Sequence, residues 1–126
     1  MRVFILVLSL LWCSPTLAFD DFTMKAKTAL ELCLSVNIWH YAGQTCETVE
    51  AVAVAARGAC SKSEEKLLLA IQTDKSVPNR ISEKEARTMI NGLFEQAKPS
   101  LYSSAIEHRI KSGKRCGVQK KRLLAR

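Results

Sequence analysis

Ser82-Glu-Lys-Glu-Ala-Arg-Thr-Met-Ile-Asn-Gly-Leu-Phe-Glu-Gln-Ala-Lys98 is the stretch that decides the fold class of this chain. Its apolar residues recur at steps of three and four positions, which is the period of an amphipathic α-helix. Ser82 and Glu85 have the spacing of a capping box, which predicts where this helix, helix D, begins. The apolar face of helix D consists of Ala86, Met89, Ile90, Leu93, Phe94 and Ala97.

Two helices are predicted upstream, because the same period appears there. Helix A is expected at about 22–41 and is ended by Gly43. Helix B is expected from an N-cap at Thr45 to about Arg57, and Gly58 is expected to stop it. The expected inward stripe of helix A is Ala26, Ala29, Leu30, Cys33, Val36, Asn37 and His40.

Two further helices complete the predicted bundle. Ser61 and Glu64 have the spacing of another capping box, so helix C is expected to begin there and to be mostly buried. Pro99 is tolerated in a first helical turn and is expected to start a separate helix E, which Gly113 ends. No segment shows sustained strand alternation. The sequence therefore predicts an all-α bundle of four to five helices.

The first eighteen residues differ from the rest. A basic residue, Arg2, precedes an apolar run, and small residues, Thr16 and Ala18, stand at the positions that signal peptidases prefer. An uncleaved anchor would need roughly 20 apolar residues, and a lipoprotein would need small residues before Cys13, which instead follows Leu11 and Trp12. We therefore expect a cleaved signal peptide at 1–18, a helical domain at 19–112, a basic tail at 113–126, and a periplasmic or secreted protein.

Four cysteines remain after the expected cleavage, and four cysteines permit three pairings. In a short exported chain an even number predicts disulfides, and a zinc site is the alternative. No two of these cysteines are close enough in sequence to resemble a CxxC zinc ligand pair. We expect Cys33 to pair with Cys60, where the chain turns back near Gly58, and Cys46 to pair with Cys116. No metal or cofactor is predicted.

The sequence contains no recognisable catalytic motif: it lacks GxSxG, HExxH, CxxC and a phosphate-binding glycine loop. His40 is a candidate base or ligand, although a packed or capping histidine is the commoner outcome. The acidic pairs Glu64 with Glu65 and Glu83 with Glu85 fall in first helical turns, where carboxylates complement free backbone N–H groups. We therefore expect a protein that is not an enzyme.

Candidate binding residues occur in two places. Trp39 and Tyr41 close helix A, where they either pack in the core or form an exposed recognition patch. The chain from His108 to Arg126 holds eight Lys or Arg residues and no acid, whereas 19–107 is nearly neutral. Such a tail either is solvated or attracts anionic membranes, envelope components or acidic proteins; nucleic acid is disfavoured because the tail lacks interleaved aromatic residues. The basic candidates are Lys111, Lys114, Arg115, Lys120, Lys121 and Arg122.

Three segments near the start of the expected mature chain, over about its first third, are Leu32-Cys33, 48–53 (Thr-Val-Glu-Ala-Val-Ala) and 55–60 (Ala-Ala-Arg-Gly-Ala-Cys). In these segments the chain resembles short exported α-helical, cysteine-containing proteins of Gram-negative bacteria that have no assigned activity. Its outline of signal, helices and disulfides is also similar to that of periplasmic immunity proteins that neutralise cell-wall-degrading toxins. The resemblance implies an all-α fold and is silent on the site residues.

We therefore expect an exported, disulfide-bonded helical protein that binds another macromolecule, as an inhibitor, immunity protein or accessory factor. The alternative is a cationic protein that binds the envelope or a membrane surface through its basic tail.

Overall fold

A computed structural model describes residues 19–114 and residue 116, and these residues form four α-helices. The helices are α1 (Asp21–Gln44), α2 (Val49–Ala59), α3 (Ser61–Thr73) and α4 (Glu83–Lys111). The predicted all-α bundle is confirmed. The expected signal peptide at 1–18 lies outside the described residues, as does the tail beyond Cys116.

Helix α1 is the central element and contacts each of the other three helices. Its Ile38 side chain is fully buried and belongs to the same core cluster as Leu67, Ile71 and Val52. The buried face of α1 differs from the predicted stripe, because Val36 and His40 are exposed. Apolar residues occur on both sides of this helix, so its periodicity fits more than one inward face. The residues of α1 that are buried are Thr23, Leu30, Leu34, Ile38 and Ala42.

Helix α4 begins at the predicted capping box. The Ser82 hydroxyl accepts a hydrogen bond from the Glu85 backbone N–H at 3.2 Å, and the Glu85 carboxylate accepts one from the Ser82 N–H at 2.9 Å. These reciprocal bonds satisfy two backbone donors that the first helical turn otherwise leaves free. The Glu85 carboxyl has a lowered pKa because Ser82 donates to it from both side chain and backbone.

The prediction that Pro99 starts a separate helix is wrong. Pro99 lies inside α4, which runs without interruption through the regions expected for helices D and E. A proline inside a helix removes one backbone hydrogen bond and crowds the carbonyl four residues earlier. Downstream of it, Leu101 and Ala105 are buried in the core, and their burial holds the helix together across this position.

The junction of α2 and α3 also differs from the prediction. Thr48, not Thr45, caps α2 by accepting from the Ala51 N–H at 3.2 Å, and the helix continues past Gly58. The next helix starts directly after Cys60, so Ser61 lies within its first turn and makes no cap. Glu64, the expected partner of Ser61, instead binds Arg57. Because Arg57 lies across the junction, it competes successfully for this carboxylate.

Two disulfides join the predicted cysteine pairs. Cys33 in α1 is bonded to Cys60 at the end of α2, and Cys46 in the α1–α2 loop is bonded to Cys116. The first bond fixes the central helix to the α2–α3 junction, and the second fixes the start of the basic tail to the end of α1. Two such bonds are typical of a protein that folds outside the cytosol.

Asp74 ties the loop after α3 to the start of α1. Its carboxylate accepts hydrogen bonds from the Ser76 N–H at 2.8 Å and from the Asp20 N–H at 3.0 Å. Burial by itself raises the pKa of Asp74, but hydrogen bonds from Ser76, Thr23 and Asp20 outweigh burial and hold this pKa at about 2. The loop is therefore anchored by an ionised carboxylate.

Candidate functional site

A cleft of about 240 Å³ opens beside the buried face of α1, between α1 and α4. Its floor is apolar, and Leu67 and Ile90 within it are almost fully buried. Leu93 and Ala97, one turn apart on α4, are half-buried and form a wall that remains accessible. The lining residues are Lys27, Leu30, Glu31, Leu34, Arg57, Glu64, Leu67, Ile90, Leu93, Phe94, Gln96 and Ala97.

An ion pair between Arg57 and Glu64 borders the cleft. The guanidinium donates two parallel hydrogen bonds to the two carboxylate oxygens, at 2.9 and 2.6 Å, and a third to the Asn91 side chain at 2.6 Å. It also lies over the Phe94 ring, 4.7 Å from its centroid, which is a cation–π contact. One arginine thus links the end of α2 to α3 and α4.

The electrostatics of this pair follow from its geometry. The hydrogen bonds from Arg57 lower the pKa of the Glu64 carboxyl, while burial opposes that shift. In the same way Glu64 raises the pKa of Arg57. Both groups therefore stay charged around neutral pH, and their charges cancel at the edge of the cleft.

The outer rim of the cleft is polar and carries both signs of charge. Lys27 pairs with Glu31 at 3.0 Å along α1, and Gln96 is exposed on α4. The lining thus holds two cations, Lys27 and Arg57, and two anions, each cation being paired. The arrangement suits an uncharged apolar group that enters from solvent and is surrounded by a polar rim.

Trp39, a candidate from the sequence, lies on the opposite side of α1 from this cleft. Its ring stacks on His108 of α4, with centroids 5.7 Å apart and planes 6° from parallel, and its indole N–H donates to Ser104 at 2.8 Å. The side chain nevertheless keeps 54% of its surface exposed. The ring is thus held in one orientation at the surface, so of the two alternatives left open by the sequence, packing of Trp39 in the core is wrong.

Trp39 is the last member of an exposed apolar row along α1, which we call the outer stripe. Leu32 is 65% and Val36 57% exposed, and Ala29 is also exposed. The steps are three, four and three residues, so all four lie on one face of the helix. The outer stripe consists of Ala29, Leu32, Val36 and Trp39.

The remaining aromatic and histidine candidates occupy different settings. Tyr41 is half-buried against the core, while His40 is exposed and meets the Tyr41 ring edge-on at 5.3 Å. His40 therefore does not lie on the inward side of α1 as the sequence predicted. Among residues 19–114 and 116, no group of three or more His, Cys, Asp or Glu side chains has the geometry to hold a metal ion.

The basic candidates divide into those that the structure describes and those outside it. Lys111 forms an ion pair with Glu107 at 2.6 Å, and Lys114 donates to the Gln44 carbonyl at 3.2 Å. Nearby, Arg109 donates to three backbone carbonyls at the end of α1 and in the following loop. Cations at a helix C-terminus complement the partial negative charge there. Arg115, Lys120, Lys121 and Arg122 lie outside the described residues.

The sequence interpretation missed the cleft and its ion pair. The cleft draws its lining from all four helices, so no single periodic pattern contains it. The one available signal was the pair Arg57 and Glu64 flanking a short junction, where opposite charges seven residues apart face each other across the turn.

Compared with protein-family models, curated proteins and solved structures, the chain has no match. Within the part of the chain that the structure describes, no helix is both long enough and apolar enough for a membrane crossing.

Proposed function

We propose that this chain is a periplasmic or secreted binding protein that acts without catalysis, as an inhibitor, immunity protein or accessory factor. It binds a partner protein, which inserts one bulky apolar side chain into the cleft between α1 and α4. The cleft itself is the observation that carries this proposal.

The size of the cleft favours a single side chain over a larger ligand. A cavity of about 150 Å³ lined by Leu, Ile and Phe is large enough for benzene, so about 240 Å³ has room for one large aliphatic or aromatic side chain. Pockets for whole small molecules usually measure about 300–1,000 Å³. The apolar floor with a polar rim of mixed charge is the anatomy of a protein–protein anchor pocket.

The surroundings of the cleft keep it in shape before a partner arrives. The Cys33–Cys60 bond holds α1 to the end of α2, three residues after Arg57. Arg57 in turn connects to Glu64 and Asn91. A pocket that is already ordered loses less conformational entropy when it is filled.

A photo-crosslinking amino acid at position 96, on the rim, tests the proposal in the exported fraction of the source cells. We expect one protein to be captured by the intact chain, and capture to be lost when Ala97→Phe fills the cleft. Leu69→Phe, an exposed position on α3 outside the cleft, is the matched control and should retain capture.

Two results would contradict the proposal. One is equal labelling from position 96 and from position 66, which is exposed on α3 and does not line the cleft. The other is capture that Ala97→Phe does not change, provided that far-ultraviolet circular dichroism shows the variant to be folded.

A second candidate function is binding to an anionic membrane or envelope surface, and the anchoring of the tail favours it. Cys116 forms a disulfide with Cys46, and the Lys114 ammonium donates a hydrogen bond to the Gln44 carbonyl at the end of α1, so the described start of the basic tail is held at a fixed point of the bundle. A cluster of cations at one fixed point attracts anionic lipids more strongly than the same charges spread over the surface.

The second candidate is tested with vesicles containing phosphatidylglycerol. The triple change Lys120→Glu, Lys121→Glu and Arg122→Glu should abolish binding at about 0.15 M salt, where surface charges act over about 8 Å. The matched control changes Lys62, Lys66 and Lys84 to Glu and should bind nearly as well as the unchanged protein. An equal loss of vesicle binding in both variants would show that binding depends on the net charge of the protein and not on the tail. That result would overturn this candidate.

A further inference from the structure

The two disulfides of this chain differ in how far solvent reaches them. In the Cys33–Cys60 bond, which we call the covered bond, Cys60 is 1% exposed and Cys33 is half-buried in α1. In the Cys46–Cys116 bond, which we call the exposed bond, Cys46 is exposed in the α1–α2 loop and Cys116 is half-buried beyond the end of α4. Exchange requires that a thiolate reaches a disulfide sulfur, so an accessible bond exchanges faster than a covered one.

The covered bond is shielded by a side chain as well as by the core. The Asn37 amide nitrogen lies 3.5 Å from the sulfur of Cys33 and 3.5 Å from the sulfur of Cys60. Cys60 belongs to the core cluster, and Cys33 packs against it. An attacking thiolate therefore has to displace Asn37 or separate α1 from the α2–α3 junction before it reaches this bond.

The exposed bond lies outside the packed core. Neither of its cysteines belongs to the core cluster or is among the half-buried apolar residues that pack against it. Within the described part of the chain, the last buried side chains are Leu101 and Ala105, well before the segment that follows α4. We propose that the exposed bond is a thiol-exchange site. A reductant with two neighbouring thiols opens it while the covered bond stays closed, and its opening detaches the segment after α4 from the end of α1.

The loop that holds Cys46 stays in place without the bond. Arg109 of α4 donates hydrogen bonds to the Thr45 carbonyl at 3.1 Å and to the Glu47 carbonyl at 2.7 Å, and these two residues flank Cys46. The same guanidinium donates to the Ala42 carbonyl in the last turn of α1 at 3.2 Å. The end of α1 is therefore joined to α4 by contacts that do not involve sulfur.

The segment after α4 is held more weakly on its side of the bond. Ser112 and Gly113 are exposed, and the Lys114 ammonium donates one hydrogen bond to the Gln44 carbonyl at 3.2 Å. Chain segments near a terminus are poorly ordered unless something ties them down. When the exposed bond opens, we therefore expect the segment of Cys116 to move and the α1–α2 loop to remain where it is.

Exposure and charge both indicate which sulfur is attacked. Cys46 is the more exposed of the two cysteines, so a thiolate reaches it first. Lys114 and Arg115 come immediately before Cys116 in the sequence, whereas Glu47 follows Cys46. Because neighbouring cations stabilise a thiolate, Cys116 is the better leaving group.

The exchange proceeds in two balanced steps. The first thiolate of the reductant bonds to the Cys46 sulfur, the bond between the two cysteines breaks, and Cys116 leaves with the electron pair and takes a proton from water. The second thiolate of the reductant then attacks the reductant's own sulfur in the mixed disulfide, and Cys46 leaves and is protonated in the same way. Two electrons thus pass to this chain, and the two thiols of the reductant become a disulfide.

The exchange site lies away from the cleft. The parts of α1 and α4 that line the cleft lie between positions 27 and 34 and between positions 90 and 97, whereas the exposed bond is at the C-terminal ends of both helices. The inference is therefore independent of the function proposed above, and each can fail without the other.

The test is reduction of the folded, oxidised chain by dithiothreitol, with thiols trapped by N-ethylmaleimide and located by peptide mapping. We expect Cys46 and Cys116 to be labelled together, about 100-fold or more faster than Cys33 and Cys60, with no loss of helical circular dichroism. The covered bond is the internal control, because reduction through global unfolding would open both bonds together. Rates within about 3-fold of each other overturn the proposal, as does a loss of helical signal when the exposed bond opens.

A monothiol tests the direction of attack. With glutathione and an acid quench, we expect the adduct on Cys46 in preference to Cys116 by about 10 to 1. Arg115→Glu removes a cation next to the leaving sulfur and should slow reduction by about 3-fold or more. Lys62→Glu makes the same charge change at an exposed position on α3 and is the matched control, which should leave the rate unchanged. An adduct chiefly on Cys116, or equal slowing in the two variants, overturns the assigned direction.

Hydrogen exchange tests the detachment. In the oxidised chain the Lys114 N–H donates to the Arg109 carbonyl at 2.9 Å, and the Cys116 N–H donates to the Lys114 carbonyl at 3.1 Å. After selective reduction we expect these two amides to exchange about 10-fold or more faster, while the amides of α1 around Ile38 stay protected. Unchanged exchange at both amides overturns the detachment.

Discussion

On the inner face of α1 Ile38 is fully buried, whereas on the opposite face Val36, only two positions earlier, keeps 57% of its surface in solvent. Both are β-branched apolar residues in the same helix, and both belong to rows with helical spacing. The inner row is buried in the core, whereas Leu32 and Val36 of the outer stripe are mostly exposed and Trp39 at its end rests partly on α4. The comparison teaches that apolar spacing in a sequence identifies a face that packs, but not whether the same chain supplies the other half of the contact.

The largest difference between the two faces should appear when Ile38 is shortened to Ala. Removing a fully buried Ile side chain loses its transfer free energy and leaves a cavity, which together cost about 3 kcal/mol, within a range of about 2–5. Urea unfolding followed by circular dichroism measures this loss. A cost below about 1 kcal/mol would mean that the inner face is not the packing centre of the bundle.

A smaller loss of stability is expected from a change where the inner face borders the cleft. Glu64→Gln removes the charged partner of Arg57, whose side chain is only 27% exposed, and should lower the free energy of unfolding by about 1–2 kcal/mol. Glu83→Gln, which affects the exposed pair with Arg87, is the control and should cost about 0.5 kcal/mol or less. An equal loss of unfolding free energy in the two variants would show that the ion pair at the cleft contributes no more stability than an exposed ion pair.

The start of the inner face is held by Asp74, and its contribution depends on pH. Because the pKa of this carboxyl is lowered to about 2 in the folded protein, its stabilising effect is complete above the unfolded pKa of about 3.9 and is lost as the pH falls toward 2. Asp74→Asn should therefore flatten the loss of stability between about pH 4 and pH 2. An acid unfolding profile that stays as steep as that of the unchanged protein would contradict this assignment.

The smallest effect is expected on the outer stripe. Val36→Ala should change the free energy of unfolding by less than about 0.5 kcal/mol, because the side chain is already in contact with solvent and alanine has the higher helix propensity. A destabilisation near that of Ile38→Ala would show that the two faces do not differ as described. Urea unfolding followed by circular dichroism makes this measurement.

Some features were predictable from sequence because their causes are local. The capping box at Ser82 and Glu85 needs only neighbours three residues apart, and the structure contains both of its hydrogen bonds. The partner of Cys33 followed from the expectation that the chain turns back near Gly58. The turn occurs at Cys60 itself, and the pairing still holds.

Other features depend on contacts between distant segments and were mispredicted or missed. Proline by itself favours a helix start over a helix interior, and the burial of Leu101 and Ala105 beyond Pro99, which outweighs that preference, is visible only in the folded bundle. The inward face of α1 was misplaced because Leu32 and Leu34 are indistinguishable until the other helices are in position. The cleft is a gap between helices, and its existence depends on how those helices are spaced.

The order of the two disulfides along the chain has a consequence for how the molecule matures. Cys33 and Cys46 are synthesised before Cys60 and Cys116, yet each bonds to a cysteine made later, and the two closed loops overlap without either enclosing the other. Closing a short loop costs the least entropy, and Cys46 is nearer in sequence to both Cys33 and Cys60 than any cysteine is to its native partner, so early oxidation would favour a non-native bond from Cys46 to Cys33 or to Cys60. Correct maturation therefore requires either that helix docking precedes oxidation or that thiol exchange repairs the first bond, a process that takes seconds to hours.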